Sequence, residues 1–193
     1  MTDPAPARRP GGRTARVRAD VHHAVEELLR EQPLAKLTIA QIAERSGVHQ
    51  GTLYRRWQSL DGLLLDVVTE RLVRHSPMPD TGTLAGDLEQ YARQTLDDLS
   101  GPQGKLLLRT LVAVRQGPEN TAELPPALLR RYDELQALLD RAAARGEHPP
   151  TVQDVVDLIV APLYTGLLLD GTPGNEDTVH RLIDRIHRLT PTT

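Results

Sequence analysis

Apolar side chains recur along this chain every three to four residues, the spacing that gives a helix one buried face. Val17, Val21, Ala24, Val25, Leu28 and Leu29 make a first stripe that stops near Pro33. Thr38 then opens Thr-Ile-Ala-Gln, a capping-box pattern in which Thr38 and Gln41 each satisfy a free backbone amide. Ile39, Ile42 and Ala43 supply the inner face of that short second helix. Gly47 permits a tight bend, Val48 plugs the corner, and a third helix over residues 50–57 turns Leu53 and Trp57 inward, four residues apart.

Ser59 is placed to cap a fourth helix with Leu63, Leu64, Val67, Val68 and Leu72 inside. Residues 75–83, "HSPMPDTGT", form a break built from proline and glycine. Leu84, Leu88, Tyr91, Ala92, Leu96 and Leu99 make the fifth stripe, and "SGPQG" separates it from residues 105–116, apolar on most sides and therefore expected at the centre. A seventh helix carries Leu128, Leu129, Tyr132, Leu135, Leu138, Leu139 and Ala142, and Gly146 stops it. Thr151 caps the eighth, which Pro162 should bend. The ninth has Glu176 and Asp177 in its first turn and Val179, Leu182, Ile183, Ile186 and Leu189 inside. No stretch alternates as a strand does, so the predicted fold is all-α with nine helices.

Composition narrows the chemistry. The 193 residues include no cysteine, which excludes disulfides, thiolate metal sites and cysteine nucleophiles. The net charge of −3 hides an asymmetry: residues 1–60 hold ten basic against six acidic side chains, residues 61–193 thirteen against twenty. A basic amino-terminal third suggests that this end meets a polyanion. Nothing resembles a signal peptide, and the most apolar run, residues 158–169, is too short to span a bilayer, so a cytoplasmic protein is expected.

Three short helices with a glycine bend between the second and third describe a helix-turn-helix, whose third helix enters the major groove. With Leu53 and Trp57 inward, that helix turns Gln50, Gly51, Thr52, Tyr54 and Arg55 outward. Gly51 and Thr52 allow close approach, Gln50 can pair with adenine, and Arg55 can grip guanine or phosphate. "LTIAQIAERSGVHQGTLYRRW" (residues 37–57) followed by "SLDGLLLDVV" resembles the amino-terminal domain of the TetR/AcrR transcriptional regulators. The resemblance is strong over residues 13–72; the remainder is looser, although "APLYTGLLLDGTP" is similar to one actinobacterial-type subgroup.

The resemblance implies a flexible arginine-rich arm over residues 1–12, a DNA-binding domain over 13–59 and a helical ligand-binding and dimerisation domain over 60–193. It implies a homodimeric repressor, released from a palindromic operator by a small-molecule effector, with no cofactor, metal, membrane or enzymatic role. Thr38 matches a phosphate-contacting helix start, Thr52 and Tyr54 match backbone-gripping positions, and Arg13, His49, Gln50, Gly51 and Arg55 join them. Lysine or arginine is common where this chain has Gln50 and Leu60, a loss that Arg8, Arg9, Arg13, Arg16 and Arg18 are available to offset. The arm is as well suited to idling in solvent as to entering a minor groove. Alternatives are an effector-independent regulator, an activator, or a helical adaptor that has lost DNA binding.

Other candidates carry less. Tyr91, Arg109, Tyr132 and Tyr164 are the polar-tipped residues expected around an effector, though each suits a core tyrosine or a surface arginine equally. The apolar run at 158–169 belongs either to the monomer core or to a subunit interface; the second is favoured, with Leu163, Leu167, Val179, Ile183 and Ile186 facing a second copy. His22 and His23 point about 100° apart on a helix and share no metal easily. Asp97 and Asp98 have the look of a solvated face, and no set of nucleophile, base and orienting group suggests an enzyme.

Overall fold

The computed structural model describes residues 12–116 and 126–189, and among them every regular element is helical. Most of the expected arm lies outside the described residues, as does the Arg13 side chain. The chain divides into two compact units between Val67 and Val68, inside a helix, whereas the sequence suggested a division by role at residue 59.

The first unit contains α1 (Gly12–Glu31), α2 (Ile39–Ser46), α3 (Gln50–Trp57) and the first part of α4 (Leu60–His75). Its core joins Val21, Val25 and Leu28 of α1 to Ile42 of α2, Leu53 and Trp57 of α3, and Leu63, Leu64 and Val67 of α4. Two turns fix the angles. Gly47 sits at φ 68° after α2, a left-handed conformation that glycine adopts without steric cost. Gln58 takes φ 63° after α3, reversing the chain within two residues, and its N–H bonds to the Tyr54 carbonyl. Ser59 then caps α4 by accepting the Gly62 N–H at 3.0 Å. A methyl group at Gly62 would stand 2.4 Å from the Trp57 carbonyl oxygen, so only glycine lets α4 begin so close to the end of α3.

The second unit is built around α5 (Leu84–Ser100), which packs against α6 (Pro102–Gln116), α7 (Pro126–Ala144), α8 (Val152–Leu169) and α9 (Glu176–Leu189). The helix expected at the centre, α6, is peripheral. It buries Leu106, Leu107 and Thr110 but leaves Arg109 and Val112 exposed. It also starts earlier than expected, because Pro102 suits the first helical position, where its missing N–H would have had no partner. The break at residues 75–83 is held by two arginines of α7 and, through Asp87, by Arg145 just beyond that helix. Arg131 donates to the Ser76 carbonyl and Arg141 to the Pro79 carbonyl. Arg145 reaches the fully buried Asp87, which also accepts the Thr81 N–H and hydroxyl. Gly146, at φ 86°, ends α7 with the paired backbone bonds of a Schellman motif.

Thr151 caps α8 reciprocally with Asp154, as its sequence suggests. Pro162 does not produce a simple kink. Residues Val156–Val160 widen into a π-turn, with the Ala161 N–H bonded to the Val156 carbonyl, one turn before the residue that lacks an N–H. By length and composition this 18-residue helix, of mean hydropathy 1.5, could cross a membrane. Here Val155, Ile159, Leu163 and Leu167 enter the core of the second unit, while Leu168 and Leu169 are 58% and 74% exposed.

The expected subunit interface is corrected by burial. Leu163, Leu167, Val179, Ile183 and Ile186 are each at most 7% exposed and join the core that α8 and α9 share with α5 within one chain. The α9 stripe is consumed by the monomer core, leaving His180, Arg181, Asp184, Arg185 and Arg188 outside. Ile183→Glu should therefore unfold the second unit rather than release folded monomers, because it buries an unpaired charge. We expect a loss of about 3 kcal/mol or more in thermal or urea denaturation. A soluble, native-like monomer of that variant would contradict this packing.

Candidate nucleic-acid interface

The exposed surface of the first unit is assembled by two helix starts. At α2 the Thr38 hydroxyl accepts the Gln41 N–H at 3.3 Å, and the Gln41 side chain accepts the Thr38 N–H at 3.0 Å. Gln32 steadies the same Gln41 oxygen at 3.2 Å. At α3 the cap is His49, whose Nδ1 accepts the Gly51 N–H at 3.1 Å. That bond requires the tautomer with hydrogen on Nε2, which leaves Nε2–H as an outward donor. Both helix starts are exposed, and the free amides and dipole of a helix start favour anions.

Along α3 the inward and outward sides separate as their spacing predicts. Leu53 is fully buried and Trp57 is 8% exposed, while Gln50, Gly51, Tyr54 and Arg55 are exposed and Thr52 is half-buried. A side chain at Gly51 would come within 3.3 Å of His49 Nδ1, so glycine there protects the cap as well as keeping the surface low. The adjacent arginines diverge. Arg55 projects from the surface, whereas Arg56 lies over the Trp57 ring at 5.1 Å and donates to the Thr14 carbonyl of α1. The sequence turns Arg55 outward but gives no sign of the hold that Arg56 makes on Trp57 and α1.

Behind this surface lies a polar cluster that pattern reading missed. Asp66 of α4 accepts two bonds from Arg18, Nε at 2.9 Å and Nη2 at 2.6 Å. It also accepts the His22 Nε2–H at 3.0 Å and the Trp57 indole N–H at 2.8 Å. Burial alone would raise this carboxyl, but the bonds from His22, Arg18 and Trp57 outweigh it and hold Asp66 well below the usual carboxylate range. The available signal was an aspartate inside "LLLDVV", since a buried acid needs partners. Arg18 is thereby committed to Asp66, which corrects its expected availability for phosphate.

The second unit contains a cavity of about 290 Å³. Of the four residues expected around an effector, Tyr91, Tyr132 and Tyr164 line this cavity and Arg109 does not. Arg109 instead borders a shallow surface groove with Lys105, Val112 and Leu168. The cavity arginine is Arg131, 7% exposed, whose guanidinium sits 5.4 Å above the Tyr91 ring. Asp98 is no solvated residue: it lines the cavity, accepts the Ser76 hydroxyl at 2.6 Å, and is pushed up by burial.

The Asp66 cluster makes stability pH-dependent in one direction. The unfolded carboxylate takes up its proton near pH 3.9, before the folded one, so the contribution of the cluster is complete above that pH and falls as pH drops further. Asp66→Asn should cost about 3 kcal/mol at neutral pH, by leaving Arg18 without its partner, and should flatten the acid limb. Urea unfolding followed by the emission of Trp57, the chain's only tryptophan, measures both. An unchanged acid limb would remove Asp66 from this role.

Known proteins place the arrangement in a family. Residues 23–67 match the model described as bacterial regulatory proteins, tetR family. Residues 78–186 match the tetracyclin repressor-like C-terminal domain. The chain is 31% identical over 148 residues to the HTH-type transcriptional regulator AqdR of Rhodococcus erythropolis, covering 76% of this chain and 72% of that one. It is 27% identical over 164 residues to the uncharacterised HTH-type regulator YdeS of Bacillus subtilis, covering 83% and 82%. The crystal structure of the TetR family transcription regulator SCO0332 superposes with a TM-score of 0.75 at 29% identity, over 92% of this chain and 98% of that one. A TetR regulator from Rhodococcus sp. RHA1 shares the fold, with a TM-score of 0.64 at 20% identity over 90% of this chain and 97% of that one. With both units matched and the recognition helix facing outward, the chain belongs to the TetR family of DNA-binding transcriptional regulators, which are not enzymes.

Proposed function

We propose that this chain is a homodimeric repressor that binds a two-fold symmetric operator through α3 and leaves it when a small molecule fills the cavity of the second unit. The observation that carries the DNA contact is the division of α3, with Leu53 and Trp57 buried behind exposed Gln50, Gly51, Tyr54 and Arg55. In this arrangement Thr38 and the His49 cap present helix starts to phosphates, Tyr54 and Thr52 grip the backbone, and Gln50 and Arg55 meet base edges. Such a regulator works in the cytoplasm, beside the chromosome.

Dimerisation follows from the unsatisfied side of α8. Its carboxy-terminal end leaves Leu168 and Leu169 exposed, and Leu168 lines the groove that Val112 borders. A second copy is the simplest cover, and two-fold pairing would set two α3 helices in successive major grooves, about 34–36 Å apart. For the effector, helix α4 supplies Asp66 and Val67 to the first unit and Val68 and Leu72 to the cavity wall. A ligand shifts the equilibrium by its difference in affinity for the bound and released arrangements.

Selection of bound sequences from a random duplex pool tests the function directly. A palindromic consensus with half-sites one helical turn apart is expected, and no enrichment would refute DNA recognition. Tyr54→Ala with Thr52→Ala should lower operator affinity at least about tenfold with an unchanged melting curve, because neither side chain is in the core. Leu168→Glu with Leu169→Glu should give folded monomers by light scattering, and persistent dimers would place the interface elsewhere.

A further inference from the structure

Three of the four tyrosines in this chain, which has no phenylalanine, meet in the cavity of the second unit. Tyr164 is the decisive one. Its hydroxyl makes no hydrogen bond to the protein among the described residues, and burial raises its pKa so that it stays a neutral donor. Tyr91 is likewise kept protonated by burial.

Beside the tyrosines lies Arg131, the one strongly buried arginine among the described residues of the unit. Arg131 commits Nη1 to the Ser76 carbonyl at 2.5 Å and reaches the half-exposed Glu134 from the same nitrogen at 3.4 Å. A guanidinium has five N–H donors, so one nitrogen does not exhaust it. Asp98 shares the cavity wall, but it receives the Ser76 hydroxyl and forms no ion pair with Arg131. Among the described residues, neither cavity aspartate, Asp97 or Asp98, makes an ion pair with this guanidinium, which shares the wall with a hydroxyl donor. The remaining wall is mixed: Arg71, His75 and Asp97 stand among apolar side chains that include Leu107 and, on the π-turn of α8, Val156 and Val160. Bulges of this kind are frequent at functional sites.

We infer that the cavity takes a small amphipathic carboxylate, its head on Arg131 and Tyr164 and its apolar body against α4, α6 and the π-turn. This rests on the effector-responsive function proposed above and gives the effector a chemical class. A planar carboxylate matches the guanidinium fork and receives the Tyr164 proton donor. A cationic amphiphile would meet the charge of Arg131 and find the Tyr91 face already covered by it. A neutral amphiphile gains the apolar contacts but forms no ion pair with Arg131. At about 290 Å³ the cavity lies at the small end of ligand sites, which favours a body of medium chain length or one ring.

Isothermal titration of the full chain with octanoate, 4-phenylbutyrate, octanamide and octylamine tests this at neutral pH. At least one carboxylate should bind about tenfold tighter than octanamide, and octylamine should not compete. Arg131→Gln should abolish that preference while leaving octanamide affinity within about twofold. Should that variant fail to fold, Tyr164→Phe deletes only an unbonded hydroxyl; it should weaken carboxylate binding several-fold at an unchanged melting temperature. Equal or tighter binding of the amine or amide, no binding of either carboxylate, or an unaltered Tyr164→Phe affinity overturns the inference. Operator release measured in parallel separates the two levels. A carboxylate bound at Arg131 without release supports this site and refutes its effector role, whereas release by octylamine refutes the carboxylate and keeps an effector-responsive regulator.

Discussion

The orientation of the recognition helix depends on the far end of α3 being fixed. Eight residues make two turns, too few for an isolated helix to be stable in water, so α3 exists because its inner face is held. Leu53 supplies the apolar part of that hold. Trp57 supplies a directional part, because its indole N–H must point at the Asp66 carboxylate that also binds Arg18 and His22. One carboxylate therefore joins α1, α3 and α4 at a defined rotation. The outward side chains follow from that rotation as a geometric consequence. Arg56 adds to it by lying across the indole and reaching α1, which leaves Arg55 as the arginine available outside.

The same separation of holding and contacting residues recurs in the second unit. Asp87, Arg141 and Arg145 pin the proline-rich break to α7, so a segment without regular structure still has a fixed course. Arg131 does the same for Ser76 and then faces the cavity with what remains of its guanidinium. One arginine can hold a loop and still line a cavity because the fork has donors on two sides. The π-turn gives α8 a comparable double use. It absorbs the missing N–H of Pro162 and presents Val156 and Val160 to the cavity.

Apolar periodicity misleads where a helix has two apolar sides. The sequence marks Leu163, Leu167, Val179, Ile183 and Ile186 as buried, and they are buried. It does not say whether the chain itself or a second copy covers them. The structure assigns that stripe to the monomer core and leaves Leu168, Leu169 and Val112 exposed. On α9 the exposed side chains include His180, Arg181, Asp184, Arg185 and Arg188, whereas α8 ends on the exposed Leu168 and Leu169.

Local signals determined the helices, both capping boxes, the bend at Gly47, and the inward turn of Leu53 and Trp57. Each depends on neighbours within four residues, where backbone geometry alone sets which side chains meet. The hold of Arg56 on Trp57 and α1, the capture of Arg18 by Asp66, the replacement of Arg109 by Arg131 in the cavity, and the peripheral place of α6 were decided only by tertiary structure. These depend on residues up to 55 positions apart in sequence, such as Arg131 and Ser76. A one-dimensional pattern records that a polar side chain must find a partner, but the partner is chosen by how the helices pack.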